Sequence, residues 1–141
     1  MNAADAQGIV RCFVDAINRQ DWETLNSLLA PDFRRHSVAA GEAAVDSPAD
    51  LIRFLKGEYA AFPDAREELV ATFSDGTMVS ARHRFQGTHL GPLGSHPPTG
   101  RQMRAEYLAI YRIENGRIAE AWAEWDNMAG LRQLGMLPDA V

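Results

Sequence analysis

The apolar residues of this chain follow a helical spacing in its first half and alternate with polar residues in its second half. Over residues 5–18 they fall on one face of a helix. Asp21 and the pair Ser47-Pro48 are helix-start signals, because a short polar side chain caps free N–H groups and proline fits the first turn. The pattern therefore predicts three helices, of which the second ends at Pro31. The apolar face of the first helix consists of Ile9, Val10, Phe13, Val14 and Ile17.

Two dipeptides mark tight turns in the second half. Asp75-Gly76 and Asn115-Gly116 both accept the positive φ angles of two-residue hairpin turns, and each stands between alternating segments. Helices followed by hairpins indicate an α+β fold with an antiparallel sheet. Four glycines and three prolines in residues 87–100 predict a long loop. The predicted strands are residues 66–74, 77–86, 101–114 and 117–126.

Two further segments have weaker patterns. Residues 32–46 show no clean period, so we expect a strand-like or irregular stretch there. Residues 127–141 contain a short amphipathic segment that Gly135 and Pro138 end.

The second hairpin brings aromatic rings and carboxylates together. If Asn115 and Gly116 are the two turn residues, Glu114 lies opposite Arg117, and directly opposed residues share a face. The resulting face matches either the wall of a mostly apolar pocket or a solvated sheet face, and a slip of one residue would exchange the two faces. The predicted face carries Tyr107, Tyr111, Glu120, Trp122, Glu124 and Asp126, and the opposite one includes Ala119, Ala121, Ala123 and Trp125.

The four histidines are candidate functional residues. The first hairpin, paired in the same way, places His83 opposite Glu68, and a carboxylate beside a histidine can tune its basicity. The alternative is a cross-strand pair at a sheet edge. His89 and His96 lie in the long loop, either in solvent or at the rim of a pocket, and the role of His36 is open.

Composition narrows the possible function classes. The chain has the length of one domain, residues 1–141, and its 14 basic and 19 acidic side chains give a net charge of −5, which argues against a nucleic-acid binder. Cys12 and Lys56 are the only cysteine and lysine, so an intramolecular disulfide is excluded and Schiff-base chemistry is disfavoured. We see neither a secretory signal nor an apolar run of the ~20 residues that a membrane helix needs. We therefore expect a cytoplasmic protein with no membrane partner.

Known motifs for metals, nucleotides and serine nucleophiles are not found in the sequence. No HxH, HxxxH or HxxE pair occurs on a predicted helix, so no metal site is expected. The glycine-rich nucleotide motifs and the GxSxG elbow do not occur either.

Several short blocks, in order, resemble the SnoaL-like polyketide cyclase family, within the superfamily of ketosteroid isomerase and nuclear transport factor. They cover about the last four-fifths of the chain, and together they are much more specific than any one alone. The blocks are Ala61-Phe62-Pro63-Asp64, Gly87-Thr88-His89-Leu90-Gly91, Pro98-Thr99-Gly100-Arg101, Tyr111-Arg112-Ile113-Glu114-Asn115-Gly116-Arg117-Ile118, Glu120-Ala121-Trp122 with Asp126, and Gln133-Leu134-Gly135.

The resemblance implies a cone-shaped barrel, in which a strongly curved antiparallel sheet and N-terminal helices enclose an internal pocket. It also implies catalysis without a cofactor and a homodimer or homotetramer. In the family's cyclases an aspartate acts as acid and base for an aldol ring closure, and by motif that residue is Asp126. Some members use a histidine as well, but none lies between Arg101 and Asp126, so His83 or His36 is expected to assist.

We therefore expect an enzyme that binds a polyketide-like small molecule and closes a ring, by aldol chemistry or by a templated cycloaddition. The alternatives are an isomerase or epoxide hydrolase of the same fold, or a non-catalytic small-molecule-binding domain. The predicted catalytic residues are Asp126 and His83. The predicted substrate-binding residues are Phe13, His36, Tyr59, Phe62, His89, Tyr107, Trp122 and Glu124.

Overall fold

The computed structural model describes residues 3–37 and 44–137. Their helices are α1 (Ala3–Arg19), α2 (Trp22–Ser27), α3 (Pro48–Ala61) and α4 (Asn127–Gln133). Their strands are β1 (Leu29–Ser37), β2 (Arg66–Asp75), β3 (Met78–Thr88), β4 (Gln102–Glu114) and β5 (Arg117–Trp125). The predicted α+β class is confirmed. No helix in these two ranges is long and apolar enough to cross a membrane.

The N-terminal helices form where capping residues predict them. The Asp21 carboxylate accepts the Thr24 backbone N–H at the start of α2, at 3.1 Å. Ser47 accepts the Asp50 backbone N–H in the same way, and Pro48 occupies the first turn of α3. The predicted end of α2 at Pro31 is wrong, because the helix stops at Ser27.

Pro31 instead lies in β1, at the edge of the sheet, where a missing N–H costs least. The apolar residues Leu29, Ala30 and Phe33 do not alternate, because the pairing register shifts between Leu29 and Arg34. The expected strand-like segment is therefore a strand, although its sequence shows no alternating pattern. The part of that prediction that covers residues 38–43 lies outside the described residues.

The five strands form one curved, open sheet in the order β1-β5-β4-β3-β2. β1 pairs with β5 in parallel and the other neighbours pair antiparallel. The sheet is therefore mixed rather than antiparallel throughout, and it is unclosed, with β1 and β2 as its two edges. This architecture is consistent with the expected cone-shaped α+β fold.

The second hairpin has the predicted turn but an extra residue just beyond it. Asn115 and Gly116 have φ angles of 53° and 74°, and Glu114 pairs with Arg117. A register shift then leaves Ala119 without an opposite residue, so the predicted shared face is wrong. One extra residue reverses every later side chain of β5. Glu120, Trp122 and Glu124 lie opposite Arg112, Ile110 and Leu108 on the outer face of the sheet, and Ala121, Ala123 and Trp125 lie opposite Tyr111, Ala109 and Tyr107 on the inner face.

The first hairpin differs in a similar way. Its turn is Gly76 and Thr77 rather than Asp75-Gly76. A second register shift leaves Val70 without an opposite residue, and His83 therefore lies opposite Leu69 rather than the predicted Glu68.

Helix α1 covers the inner face of the sheet and forms the main core with it. The apolar face of α1 packs with buried residues of β3, β4 and β5. A smaller apolar cluster, which we call the end cluster, lies where α4 and the end of α3 meet the sheet. Its buried members are Ala61, Phe62, Phe85 and Leu134, and its partly buried members are Ala65, Leu93, Met103, Trp125 and Met136.

The loop after β3 is tied to the end of α3. Leu90 and Gly91 both donate their backbone N–H groups to the Ala61 carbonyl, at 3.0 and 3.1 Å. A Cβ added at Gly91 would overlap the Ala60 carbonyl oxygen, whereas one added at Gly57 in α3 meets open space.

We expect Gly91→Ala to lower the free energy of unfolding by about 1–3 kcal/mol, because the backbone must move to admit the methyl group. The same substitution at Gly57 is the control and should raise it by roughly 0.5–1 kcal/mol, as for an exposed helical glycine. Urea unfolding of both variants measures the difference. Equal effects would show that the loop does not pack on α3 as described.

Candidate functional site

A buried histidine and a buried carboxyl group face each other on the inner face. His83 in β3 has no exposed surface and Glu67 in β2 is 7% exposed, and His83 Nδ1 lies 3.7 Å from Glu67 Oε2. Asn18, near the end of α1, fixes the Glu67 backbone: its side-chain amide donates to the Glu67 carbonyl and its oxygen accepts the Glu67 N–H, both at 2.8 Å. The helix therefore sets the position of the carboxyl group.

Two tyrosines of β4 complete this group. Tyr107 Oη donates to Glu67 Oε1 at 2.8 Å, and Tyr111 Oη lies 2.8 Å from His83 Nε2. The Tyr107 ring stacks on the His83 ring, with centroids 4.4 Å apart and planes 4° from parallel. We call Glu67, His83, Tyr107 and Tyr111 the tetrad.

Burial keeps the whole tetrad uncharged near neutral pH. Desolvation, helped by the negative charge of Glu58, raises the pKa of Glu67 to about 8, although the Tyr107 hydrogen bond acts in the opposite direction. Desolvation lowers the pKa of His83 to about 4. It also raises the pKa of Tyr107 and of Tyr111 above the usual value for a tyrosine. The contact between His83 and Glu67 is thus not an ion pair at neutral pH, despite its distance.

Two atoms of the tetrad retain unused hydrogen-bonding capacity. Glu67 Oε2 and His83 Nδ1 are buried and have no hydrogen-bond partner among the described residues. Their separation of 3.7 Å is too long for a hydrogen bond between them. The site therefore presents a proton donor and a proton acceptor side by side, which is what general acid–base catalysis requires.

Three predicted site residues come together here. His83 and Tyr107 belong to the tetrad, and Phe13 of α1 packs edge-on against Tyr111, with ring centroids 5.7 Å apart. Tyr59 lies in the main core, where its hydroxyl donates to the Ile17 carbonyl at 2.9 Å.

Phe62 and His89 lie in a different place, at the end cluster. Phe62 is 2% exposed and packs edge-on against Phe85. The His89 ring lies beside Phe62, with centroids 5.5 Å apart, and is completely buried.

His36, Trp122 and Glu124 lie on the outer face, away from the tetrad. The His36 ring stacks on Trp122 at a centroid distance of 5.4 Å, and His36 Nε2 lies 2.6 Å from Glu120 Oε2. The Ala119 bulge in β5 is the physical reason for the placement of Trp122 and Glu124. Their predicted role in substrate binding stays a prediction.

Asp126 is exposed and caps α4. Its carboxylate accepts the Ala129 backbone N–H at 3.0 Å, as helix N-caps do. Asp126 follows the last residue of β5, so the expected common face with Tyr107 is wrong. Its predicted acid–base role stays a prediction.

Glu67 and Tyr111 were not among the site residues predicted from the sequence. Tyr111 was on the predicted face. Glu67 stands next to Glu68, and only the positions of the turn and of the Val70 bulge decide which of the two turns inwards.

Two surface clefts of about 540 and 500 Å³ lie at the turn of the second hairpin. Neither is lined by a member of the tetrad. Among residues 3–37 and 44–137, no group of three or more His, Cys, Asp and Glu side chains is arranged to hold a metal ion.

The pKa shifts of the tetrad predict how stability depends on pH. Folded Glu67 keeps its proton up to about pH 8, while the unfolded carboxyl loses it near 4.5, so Glu67 lowers the free energy of unfolding as pH rises between these values. Unfolded His83 is protonated below 6.5 and folded His83 only below about 4, so His83 raises that free energy between 4 and 6.5. The two effects offset each other from about 4.5 to 6.5, and stability then falls towards pH 8.

Urea unfolding of the wild type and Glu67→Gln, from about pH 5 to about pH 9, measures this dependence. The variant should lose the fall between 6.5 and about 8, because glutamine does not titrate and can still accept the Tyr107 hydrogen bond. Parallel curves for the two proteins would contradict the assigned protonation of Glu67.

Comparison with known proteins assigns the family. A family model for SnoaL-like polyketide cyclases matches residues 7–134. Nogalonic acid methyl ester cyclase from Streptomyces nogalater is 29% identical over 128 residues, which cover 86% of this chain and 91% of that protein. Aklanonic acid methyl ester cyclase DauD from Streptomyces sp. strain C5 is 27% identical over 131 residues, which cover 90% and 80%. The crystal structure of wild-type IdmH from Streptomyces antibioticus has a TM-score of 0.83 and 31% identity, over 92% of this chain and 98% of IdmH. The chain therefore belongs to the SnoaL-like polyketide cyclase family and is an enzyme of the cyclase type.

Proposed function

We propose that this enzyme closes a carbon ring within a polyketide-like substrate by an intramolecular aldol reaction, with His83 and Glu67 as the catalytic pair and without a cofactor. The observation that carries the proposal is the buried contact of 3.7 Å between His83 Nδ1 and Glu67 Oε2. The cyclase activities of the curated relatives support the reaction class.

The reaction needs one proton removed beside a carbonyl group and one proton delivered to a new alkoxide. In our proposal His83 Nδ1 takes the proton from carbon while the Glu67 carboxyl protonates the neighbouring carbonyl oxygen, which gives an enol. The enol carbon then forms a bond to a second carbonyl carbon of the same molecule. The enol proton returns to Glu67, and the proton on His83 passes to the new alkoxide. The ring closure therefore needs no co-reactant.

The pKa values limit the substrate class. A neutral imidazole whose pKa is about 4 is a weak base. It can remove only a proton that is already acidified, such as one on a carbon between two carbonyl groups. Such 1,3-dicarbonyl units occur repeatedly in polyketide chains, so the weak base fits this substrate class.

The tyrosines position the pair. Tyr107 donates a hydrogen bond to Glu67 Oε1, and the other carboxyl oxygen, Oε2, faces His83 Nδ1. In this mechanism His83 Nε2–H donates to Tyr111 Oη, which leaves Nδ1 unprotonated as the base and fixes the orientation of the imidazole ring. Because His83 has no exposed surface, substrate access requires movement of apolar side chains over the inner face, and Phe13 lies directly against Tyr111.

Substitution of the catalytic pair tests the proposal. We expect Glu67→Gln and His83→Gln to lower kcat by about 10²–10⁴-fold, the usual contribution of a general acid or base. The test substrates are nogalonic and aklanonic acid methyl esters, after which the relatives are named. Asp126→Asn is the matched control and should retain kcat, because asparagine also caps helices well.

The outcomes separate the competing mechanisms. Loss of activity in Asp126→Asn together with retention in Glu67→Gln would support the motif-based role of Asp126 and reject ours. Retention in all three variants would indicate closure by shape alone, as in a templated cycloaddition.

The pH dependence of kcat/KM gives a second test. Activity should rise with pH as His83 loses its proton near 4 and fall as Glu67 loses its proton near 8, because the reaction needs an unprotonated base and a protonated acid. Circular dichroism at each pH confirms that the protein is folded. A rate that continues to rise above pH 8 would show that a carboxylate, rather than a carboxylic acid, is the active form.

A further inference from the structure

His89, in the end cluster, holds a hydrogen-bond donor that the tetrad does not involve. His89 follows β3 and is fully buried beside the Phe62 ring. Its Nδ1 lies 3.0 Å from Thr99 Oγ1 and accepts the Thr99 backbone N–H at 3.2 Å. The loop is closed at this point, since His89 N–H donates to the Arg101 carbonyl and Gly100 N–H donates to the His89 carbonyl, both at 2.8 Å.

These contacts determine which ring nitrogen carries the proton. A backbone N–H can only donate, so Nδ1 of His89 must be the accepting nitrogen and the proton of the imidazole lies on Nε2. His89 Nε2 is buried and has no hydrogen-bond partner among the described residues. His89 thus presents an N–H donor, held in a fixed direction, with no acceptor in the described part of the chain.

A second buried donor borders the same cluster. Trp125 Nε1 is also buried without a hydrogen-bond partner in the described ranges. Its ring packs edge-on against Phe85, whose ring contacts Phe62 in the same way. Leaving a buried N–H group unpaired is costly, so an acceptor oxygen at either donor is a favourable complement.

We propose that the end cluster is a binding subsite for the carbonyl end of a flat, mostly apolar ligand, with His89 Nε2–H as the donor to a ketone oxygen. The surrounding aromatic rings suit a planar ring system, and the two donors with no acceptor nearby select an oxygen that accepts. Within the proposed function, which this inference assumes, the subsite anchors the far end of the substrate. His89 is six residues beyond His83, or about 20 Å along the strand, so an elongated substrate fits both.

The cluster has flexible residues at its border that could admit a ligand. Met103 and Met136 are partly buried and pack against it. Methionine is unbranched and adapts to irregular shapes, so these side chains can move aside at little cost.

The test compares two soluble, flat, three-ring probes that differ in the central ring, which carries two ketone groups in anthraquinone-2-sulfonate and none in anthracene-2-sulfonate. Equilibrium dialysis against the full chain should show about tenfold tighter binding of the quinone, because only it has a ketone oxygen for His89, whereas the sulfonate is common to both probes. Equal affinities, or binding of neither probe, would overturn the proposal. The result does not depend on turnover, so it is separate from the failure or success of the cyclase proposal.

Two variants localise the effect. His89→Asn keeps an acceptor near the Nδ1 position for Thr99 but lacks a donor at Nε2, so the preference for the quinone should be lost. His89→Gln places an amide N–H near the Nε2 position, so this variant should keep the preference for the quinone. Thermal unfolding of both variants checks that they fold. A preference that survives in His89→Asn, or that disappears equally in both folded variants, would assign His89 to loop structure instead.

Discussion

One unpaired residue in each hairpin decides which side chains of this sheet are buried. Val70 in β2 and Ala119 in β5 have no residue opposite them, and the side chains beyond each bulge change faces. In β2 the shift accompanies an inward-facing Glu67. In β5 it turns Ala121 inwards opposite the Tyr111 ring, and Trp125 inwards, where it stacks on the Tyr107 ring. The tetrad could not form without this pairing.

The tetrad can be buried because desolvation keeps each of its members in the uncharged form near neutral pH. A lone carboxylate at the position of Glu67 would be very costly in an apolar core. Protonation removes the charge, while Tyr107 donates to Oε1 of the carboxyl group and Asn18 pairs with the Glu67 backbone. The same desolvation keeps His83 unprotonated. Desolvation thus yields both a protonated acid, Glu67, and an unprotonated base, His83, near neutral pH.

The sequence predicted the elements of the fold better than their register. Helix caps at Asp21 and Ser47 and the turn at Asn115-Gly116 are local signals, because neighbouring atoms satisfy them, and all three are confirmed. The family resemblance is confirmed as well. Bulges have no comparable local signal, since the bulged residues Val70 and Ala119 are of types that also occur in regular strands. Predicted pairing therefore failed beyond the bulge in the second hairpin, and from the turn onwards in the first, where the turn lies one residue later than predicted.

The unpredicted register shifts also explain the errors in the predicted set of site residues. His83 was predicted beside Glu68, whereas the carboxyl group beside it is that of Glu67. The roles of His83 and Tyr107 stay predictions. Trp122 and Glu124 were placed with Tyr107 because the pairing was extended through Ala119. A motif gives the position of a residue along the chain and not its face, as Asp126 shows by capping α4.

Strand β3 connects the two regions to which we assign chemistry. Ala81, His83 and Phe85 alternate on its inner face, and Gly87 and His89 continue the same spacing to the end cluster. Gly87 allows the close approach of Phe62, because a Cβ there would lie 3.0 Å from Phe62 Cβ and would push the ring away by a few tenths of an ångström. Phe62 therefore packs directly on the strand between the two histidines. An elongated ligand that reaches both His83 and His89 must replace the contacts that the Phe62 ring makes with the strand. The fit of the ligand to the space of this ring, and not the two histidines alone, therefore decides which substrates can bind.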